Sequence, residues 1–162
     1  MTSCRGSSHN DAHPPSELGG LGFHSLRHER AVSDSVQTMA EGWSVVDEDP
    51  VLSGSEVRAL LSTNVERGHL ATYLHSDAGR LLSFVSNGKR AMLVLMERAG
   101  DPGEHAVSPD AVGSSSGFVL ENGQEDTYDD ADTVPLPDAL AAVCSILDTG
   151  RPPRGMPWTV DR

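Results

Sequence analysis

The stretch Glu121 to Asp132, Glu-Asn-Gly-Gln-Glu-Asp-Thr-Tyr-Asp-Asp-Ala-Asp, holds the densest chemistry in the sequence. It carries six carboxylates and no Lys or Arg. Glu125, Asp126, Asp129, Asp130 and Asp132 cluster around Tyr128, a ring with a hydrogen-bonding tip that suits a contact anchor. Such a surface can imitate a phosphate track and enter a basic groove. It also reads as a solvated loop joining a strand to the last helix, since charge runs are often only solvated. A calcium loop does not fit: counting from Asp126, the sixth-position Gly and twelfth-position Glu of the EF-hand are missing. Other chemistry is thinner. His75, Ser76 and Asp77 are the residue types of a triad, but neighbours on a turn do not point at one another, and Asp77 suits a turn role. No Gly-x-Ser-x-Gly elbow occurs, and Leu18 to Phe23 lacks the Lys-Ser/Thr of a phosphate-binding loop. His9 and His13, and His24 and His28, are spaced by four, as two ligands on one helical face would be, yet their surroundings are poor helix formers. The sequence therefore points to no catalytic residue, no cofactor and no metal site.

Charge narrows the classes of partner. The 162 residues contain 12 Lys plus Arg against 24 Asp plus Glu, a net charge of −12. Nucleic-acid affinity comes mainly from cations that neutralise phosphates, so a direct nucleic-acid binder is disfavoured. An anionic membrane surface is disfavoured on the same ground. A basic protein partner is permitted, and an acidic patch would steer it. Cys4 and Cys144 are the only cysteines, one in a tail and one on a helix face, so no disulfide framework is indicated. No apolar run approaches transmembrane length, and the first residues contain no signal-peptide core, which predicts a cytoplasmic protein.

The elements that would position these residues follow from patterning. Residues 1–38 are rich in Gly, Ser, Pro, His and Asn without apolar periodicity, and read as a disordered extension. A single domain is expected over 39–162. Gly42 to Val46 predicts a strand with Trp43 and Val45 on one face. Ser53 and Glu56 have capping-box spacing ahead of Val57, Leu60, Leu61 and Val65, a helical stripe closed by Gly68. His69 to His75, Leu81 to Val85 and Ala91 to Glu97 read as strands, with Asn87-Gly88 a hairpin signal. The loop Ala99 to Ser116 includes a weak strand near Ala106-Val107, and Gly117 to Glu121 gives one more. Trp43 and Trp158 are read as packing residues, the latter covering a sheet edge.

The last segment, Val134 to Val160, is the most structured to the eye. Pro137 and Asp138 suit a first helical turn. Leu136, Leu140, Val143, Cys144 and Leu147 make one stripe, Gly150 can close the helix, and Pro152 and Pro153 block its resumption. Met156 to Val160 reads as a final strand. Val134-Pro135, Ala139, Ala142, Leu147, Thr149-Gly150-Arg151-Pro152 and Trp158 resemble the C-terminal pattern of the first-numbered family of Imm proteins, the immunity proteins of bacterial polymorphic toxin systems. The resemblance extends back to about Met39, in the middle only as a rhythm of strands and turns. It implies a small non-enzymatic protein that binds one cognate toxin, often a nucleic-acid deaminase or nuclease, and occludes its active site. The toxin-facing residues would then be Glu125, Asp126, Tyr128, Asp129, Asp130 and Asp132. The alternative is a small-ligand binder or enzyme with a pocket under the 99–116 loop; a regulator of another protein is the third class. The order of elements predicts an α+β fold: a mostly antiparallel twisted sheet of about five or six strands with two helices packed on one face.

Overall fold

The computed structural model describes residues 41–161. The extension over 1–38, its histidine pairs, Cys4 and the domain start at Met39 lie outside the described residues. Within them the chain runs β1 (Trp43–Val45), α1 (Gly54–Glu66), β2 (Ala71–Ser76), β3 (Leu81–Ser86), β4 (Arg90–Met96), β5 (Glu104–Ala106), β6 (Ser114–Val119), β7 (Glu125–Asp129), a 3-10 turn (Asp130–Asp132), β8 (Val134–Pro135), α2 (Leu136–Thr149) and β9 (Trp158–Val160). The fold is α+β, as the order of signals predicts.

Seven strands form the main sheet, in the order β1-β2-β3-β4-β5-β9, with β8 paired to the start of β4. Every pairing is antiparallel. Period-two alternation explains its two faces. Leu74, Leu82 and Leu95 stand opposite one another across β2, β3 and β4, and so share a face. They join Leu93, Val57 and Leu61 of α1 and Val143, Ile146 and Leu147 of α2 in one buried cluster, which places both helices on that side. Burying each such Leu or Ile contributes roughly 1.5–3 kcal/mol.

Local signals fix the helices. Ser53 caps α1: its hydroxyl accepts from the Glu56 amide, and the Glu56 carboxylate accepts from the Ser53 amide at 2.8 Å. Gly150 closes α2 at φ 71°, and its N–H donates to the Ile146 carbonyl at 2.7 Å. The Arg80 guanidinium then donates to the Gly150 carbonyl at 2.8 Å and to Glu41 at 3.0 Å, while lying 5.9 Å from the Trp43 ring centroid. A cation thus meets the negative end of the helix. The α2 stripe is wider than expected. Ala139, Ala142 and Ile146 are buried too, whereas Cys144 is half-exposed. The reason is that α2 packs on α1 as well as on the sheet. The Cys144 thiol points to the start of α1 and donates to the Gly54 carbonyl at 3.1 Å.

Two further readings are corrected. The strand expected at Gly117 begins at Ser114 and ends at Val119, and Glu125 to Asp129 is its partner β7 rather than a loop. The weak strand near Ala106-Val107 lies at Glu104–Ala106, held on its other side by β9. Trp158 sits on β9, an edge strand, and packs against the main core.

Candidate functional site

The second face of the sheet carries the candidate site. Tyr73, Ser83, Val94 and His105 form one cross-strand row on it, and Leu81 and Met96 form part of the next. These side chains are half-buried, not solvated. The β6–β7 hairpin packs over β3 on this side. Phe118 is completely buried and Val85 nearly so, both outside the helix-side cluster, which gives the hairpin a small core of its own. A register shift between Ser115 and Phe118 bends the hairpin, and Gly117 supplies the positive φ of 86° at the bulge.

Arg90 clasps the far end of this hairpin. It lies on β4 on the same face as Met92 and Val94. Its Nε donates to the Thr133 hydroxyl at 2.7 Å, and Nη2 donates to the carbonyls of Asp130 and Thr133, each at 2.7 Å. The Asp130 carboxylate is 3.6 Å from Nε and accepts the Ser115 hydroxyl at 2.6 Å. Asp132 lies 3.6 Å from His105 Nε2, whose Nδ1 is 2.7 Å from Asp161. The acidic run is therefore divided by what it touches. Asp130 ties the hairpin to the sheet, and Asp132 stands beside His105. Asp126 accepts from the Tyr128 hydroxyl at 3.1 Å and from the Gln124 amide at 2.7 Å. Glu125, Thr127 and Asp129 alternate with these and are exposed.

Tyr128 is not a free anchor. Its ring meets Phe118 edge-on, with centroids 5.0 Å apart, and it is half-buried. Burial, then the Asp126 hydrogen bond and charge, then nearby Tyr73 push its phenol above the usual 10.0. Burial and the charge of Glu121 do the same to Tyr73. A trough of about 720 Å³ opens beside Tyr73, bounded by Val46, Asp47, Leu81, Met96 and Glu121. Patterning drew attention to none of Arg90, Tyr73 or this trough. Arg90 left one usable trace: a charge on a strand whose same-face neighbours are Met92, Val94 and Met96 calls for a partner layer above it.

The remaining candidates fall as follows. β2 alternation puts His75 and Ser76 on opposite faces, so no triad forms; the Ser76 hydroxyl accepts the Arg80 amide at 3.0 Å and closes the turn in place of Asp77. A second hollow of about 640 Å³ lies under the 107–111 part of the long loop, lined among others by Ser108, Asp110, Asp138 and Arg154. Among the described residues no group of three His, Cys, Asp or Glu side chains gathers to hold a metal ion, and no helix is long and apolar enough to cross a membrane. No family model, curated protein or solved structure matches this chain.

Proposed function

We propose that this chain is an immunity protein, a non-enzymatic inhibitor that binds a cognate polymorphic toxin in the cytoplasm of the producing cell. The toxin class would be a nucleic-acid deaminase or nuclease, whose basic groove the acidic hairpin occludes. One observation carries this reading above the others: Glu125 and Asp129 are exposed on a strand whose intervening Tyr128 packs on Phe118 and whose end is followed by Asp130, held by Arg90 through its carbonyl. A pre-organised acidic edge loses little freedom on binding, which favours affinity. On this reading the toxin contacts centre on Glu125 and Asp129, with Asp126 beside them.

The test is co-expression with the toxin domain encoded by the adjacent gene. The expected results are a purified one-to-one complex and restored growth. Changing Glu125→Gln and Asp129→Asn together should slow association and flatten its salt dependence, with dissociation little changed. Failure to form any complex with the neighbouring gene product would remove the reading. A second reading rests on the hollow under residues 107–111, whose volume lies in the small-ligand range and whose Asp138 and Arg154 supply opposite charges. A metabolite that raises the melting temperature of the protein, and does not do so for the Arg154→Ala variant, would favour it.

A further inference from the structure

We propose that the backbone edge of β2 at Ala71–Tyr73 is a strand-addition site for a basic, extended segment of a partner protein. This surface is separate from the Glu125–Asp129 edge and stands whether or not the partner is a toxin. Hydrogen bonding across β2 sets the direction of its groups. Ser86 N–H donates to the Leu70 carbonyl at 2.7 Å, and Ser76 N–H donates to the Arg80 carbonyl at 2.9 Å. Direction alternates along an antiparallel strand, so Thr72 and Leu74 also turn toward β3, while Ala71, Tyr73 and His75 turn toward β1. His75 is paired with Ser44, and the Tyr73 carbonyl accepts the Val46 N–H at 2.9 Å. There β1 leaves. Glu48 N–H turns back to the Val45 carbonyl at 3.0 Å, and Asp47 takes a φ of 67°. The Tyr73 N–H and both backbone groups of Ala71 are left without a partner among the described residues.

The trough described above borders this open edge. Leu81 and Met96, a cross-strand pair, give it an apolar floor. Asp47 and Glu121 are exposed on its rim, and no Lys or Arg lines it. A strand added at an edge gains affinity from backbone pairing and specificity from alternate side chains that enter pockets. Lysine fits here: its methylene stem covers Leu81 and Met96 while its ammonium reaches the carboxylates. A second copy of this chain is a poor occupant, because it would bring an acidic rim against an acidic rim. Glu48 and Asp49, also exposed, extend the same sign beyond Asp47.

The probe is a short acetylated peptide that alternates lysine with valine, added to the full chain. Its controls are the glutamate–valine counterpart and a version N-methylated on alternate amides. Amide hydrogen exchange by NMR should show Ala71 and Tyr73 exchanging fast in the free protein and slowly with the lysine peptide. The glutamate and N-methylated peptides should give no protection. Asp47→Asn with Glu121→Gln should weaken lysine-peptide binding about tenfold and leave the melting temperature unchanged. Ala71→Pro, which removes an N–H that the ladder does not use, should abolish the protection at Tyr73. The proposal is overturned by slow exchange at Ala71 and Tyr73 in the free chain, by peptide binding that leaves them fast, by equal binding of the glutamate peptide, or by protection that instead follows dimerisation.

Discussion

Arg90 shows how much one side chain can determine here. A guanidinium presents several donors in a rigid fork, and this one meets a hydroxyl and two carbonyls at hydrogen-bonding distance. A lysine ammonium cannot span the same three acceptors. Arg90→Lys should therefore cost about 2 kcal/mol of unfolding free energy, as part-buried carbonyls lose their donor. Denaturant titration measures the loss, and amides of β6 and β7 should exchange faster in the variant. An unchanged midpoint would mean that Phe118 packing alone holds the hairpin. The two phenols of this face give a pH dependence with a definite sign. Tyr73 and Tyr128 both have raised folded-state values, chiefly through burial. The folded chain thus holds their protons more tightly than the unfolded chain. Their contribution to stability is complete below the ordinary value of 10.0 and is lost as pH rises through the raised values. Stability should fall above that pH, and Asp126→Asn should move the phenolate absorbance transition of Tyr128 downward. A transition that does not move would show that Asp126 has no hold on the phenol.

At the scale of elements, the first turn of α1 lies in close contact with the end of α2. Gly54 N–H donates to the Asp148 carboxylate at 2.9 Å, and a Cβ built on Gly54 would lie 2.7 Å from both Asp148 Oδ2 and the Cys144 carbonyl. Helix propensity alone favours Gly54→Ala by up to about 1 kcal/mol. The contact with the Cys144 backbone opposes it, because backbone cannot rotate away as a side chain can. We expect overpacking to win, with a net loss of about 2 kcal/mol in thermal or chemical unfolding. A more stable variant would mean that the helices separate easily. Leu147→Asp should be more damaging, since it places an unpaired charge at a buried position at a cost of several kcal/mol, comparable with total domain stability. These helices were legible in the sequence because their signals are local: a Ser53–Glu56 capping box, a Gly150 stop, an apolar stripe between. Strands β2 to β4 were legible through alternation and the Asn87-Gly88 turn, where the Asn87 carboxamide oxygen accepts the Lys89 and Arg90 amides. The β6–β7 hairpin was not. Ser114 to Gly117 has no apolar alternation, and aspartate is depleted in strands, so Glu125 to Asp132 read as a loop. What makes it a strand is distant in sequence: Phe118 buried against the sheet and Arg90 reaching Asp130 and Thr133. For the same reason the acidic residues could be named, but not sorted into those that bind the sheet and those that face outward.

At the scale of the whole molecule, the question is whether charge acts as a general field or through the hairpin. Residues 41–161 contain 20 acidic and 8 basic side chains, so the domain is negative well beyond one patch. Screening separates the two possibilities. The Debye length is about 30 Å at 0.01 M salt, comparable with a small domain, and about 8 Å at physiological ionic strength, which isolates one face from another. Two pairs of neutralising changes remove equal charge from different places. Glu125→Gln with Asp129→Asn acts on the exposed edge of the hairpin. Glu66→Gln with Asp138→Asn acts on exposed positions of the two helices, on the other side of the sheet. At low salt both pairs should slow association with a basic partner, because the partner responds to the summed field. At physiological salt only the hairpin pair should still slow it, since only charges near the docking face escape screening. Stopped-flow association rates with the proposed toxin partner at the two salt concentrations decide this. Equal slowing by both pairs at physiological salt would mean that charge acts as a general field rather than through the hairpin, and slowing by the helix pair alone would place the contact on the helical face.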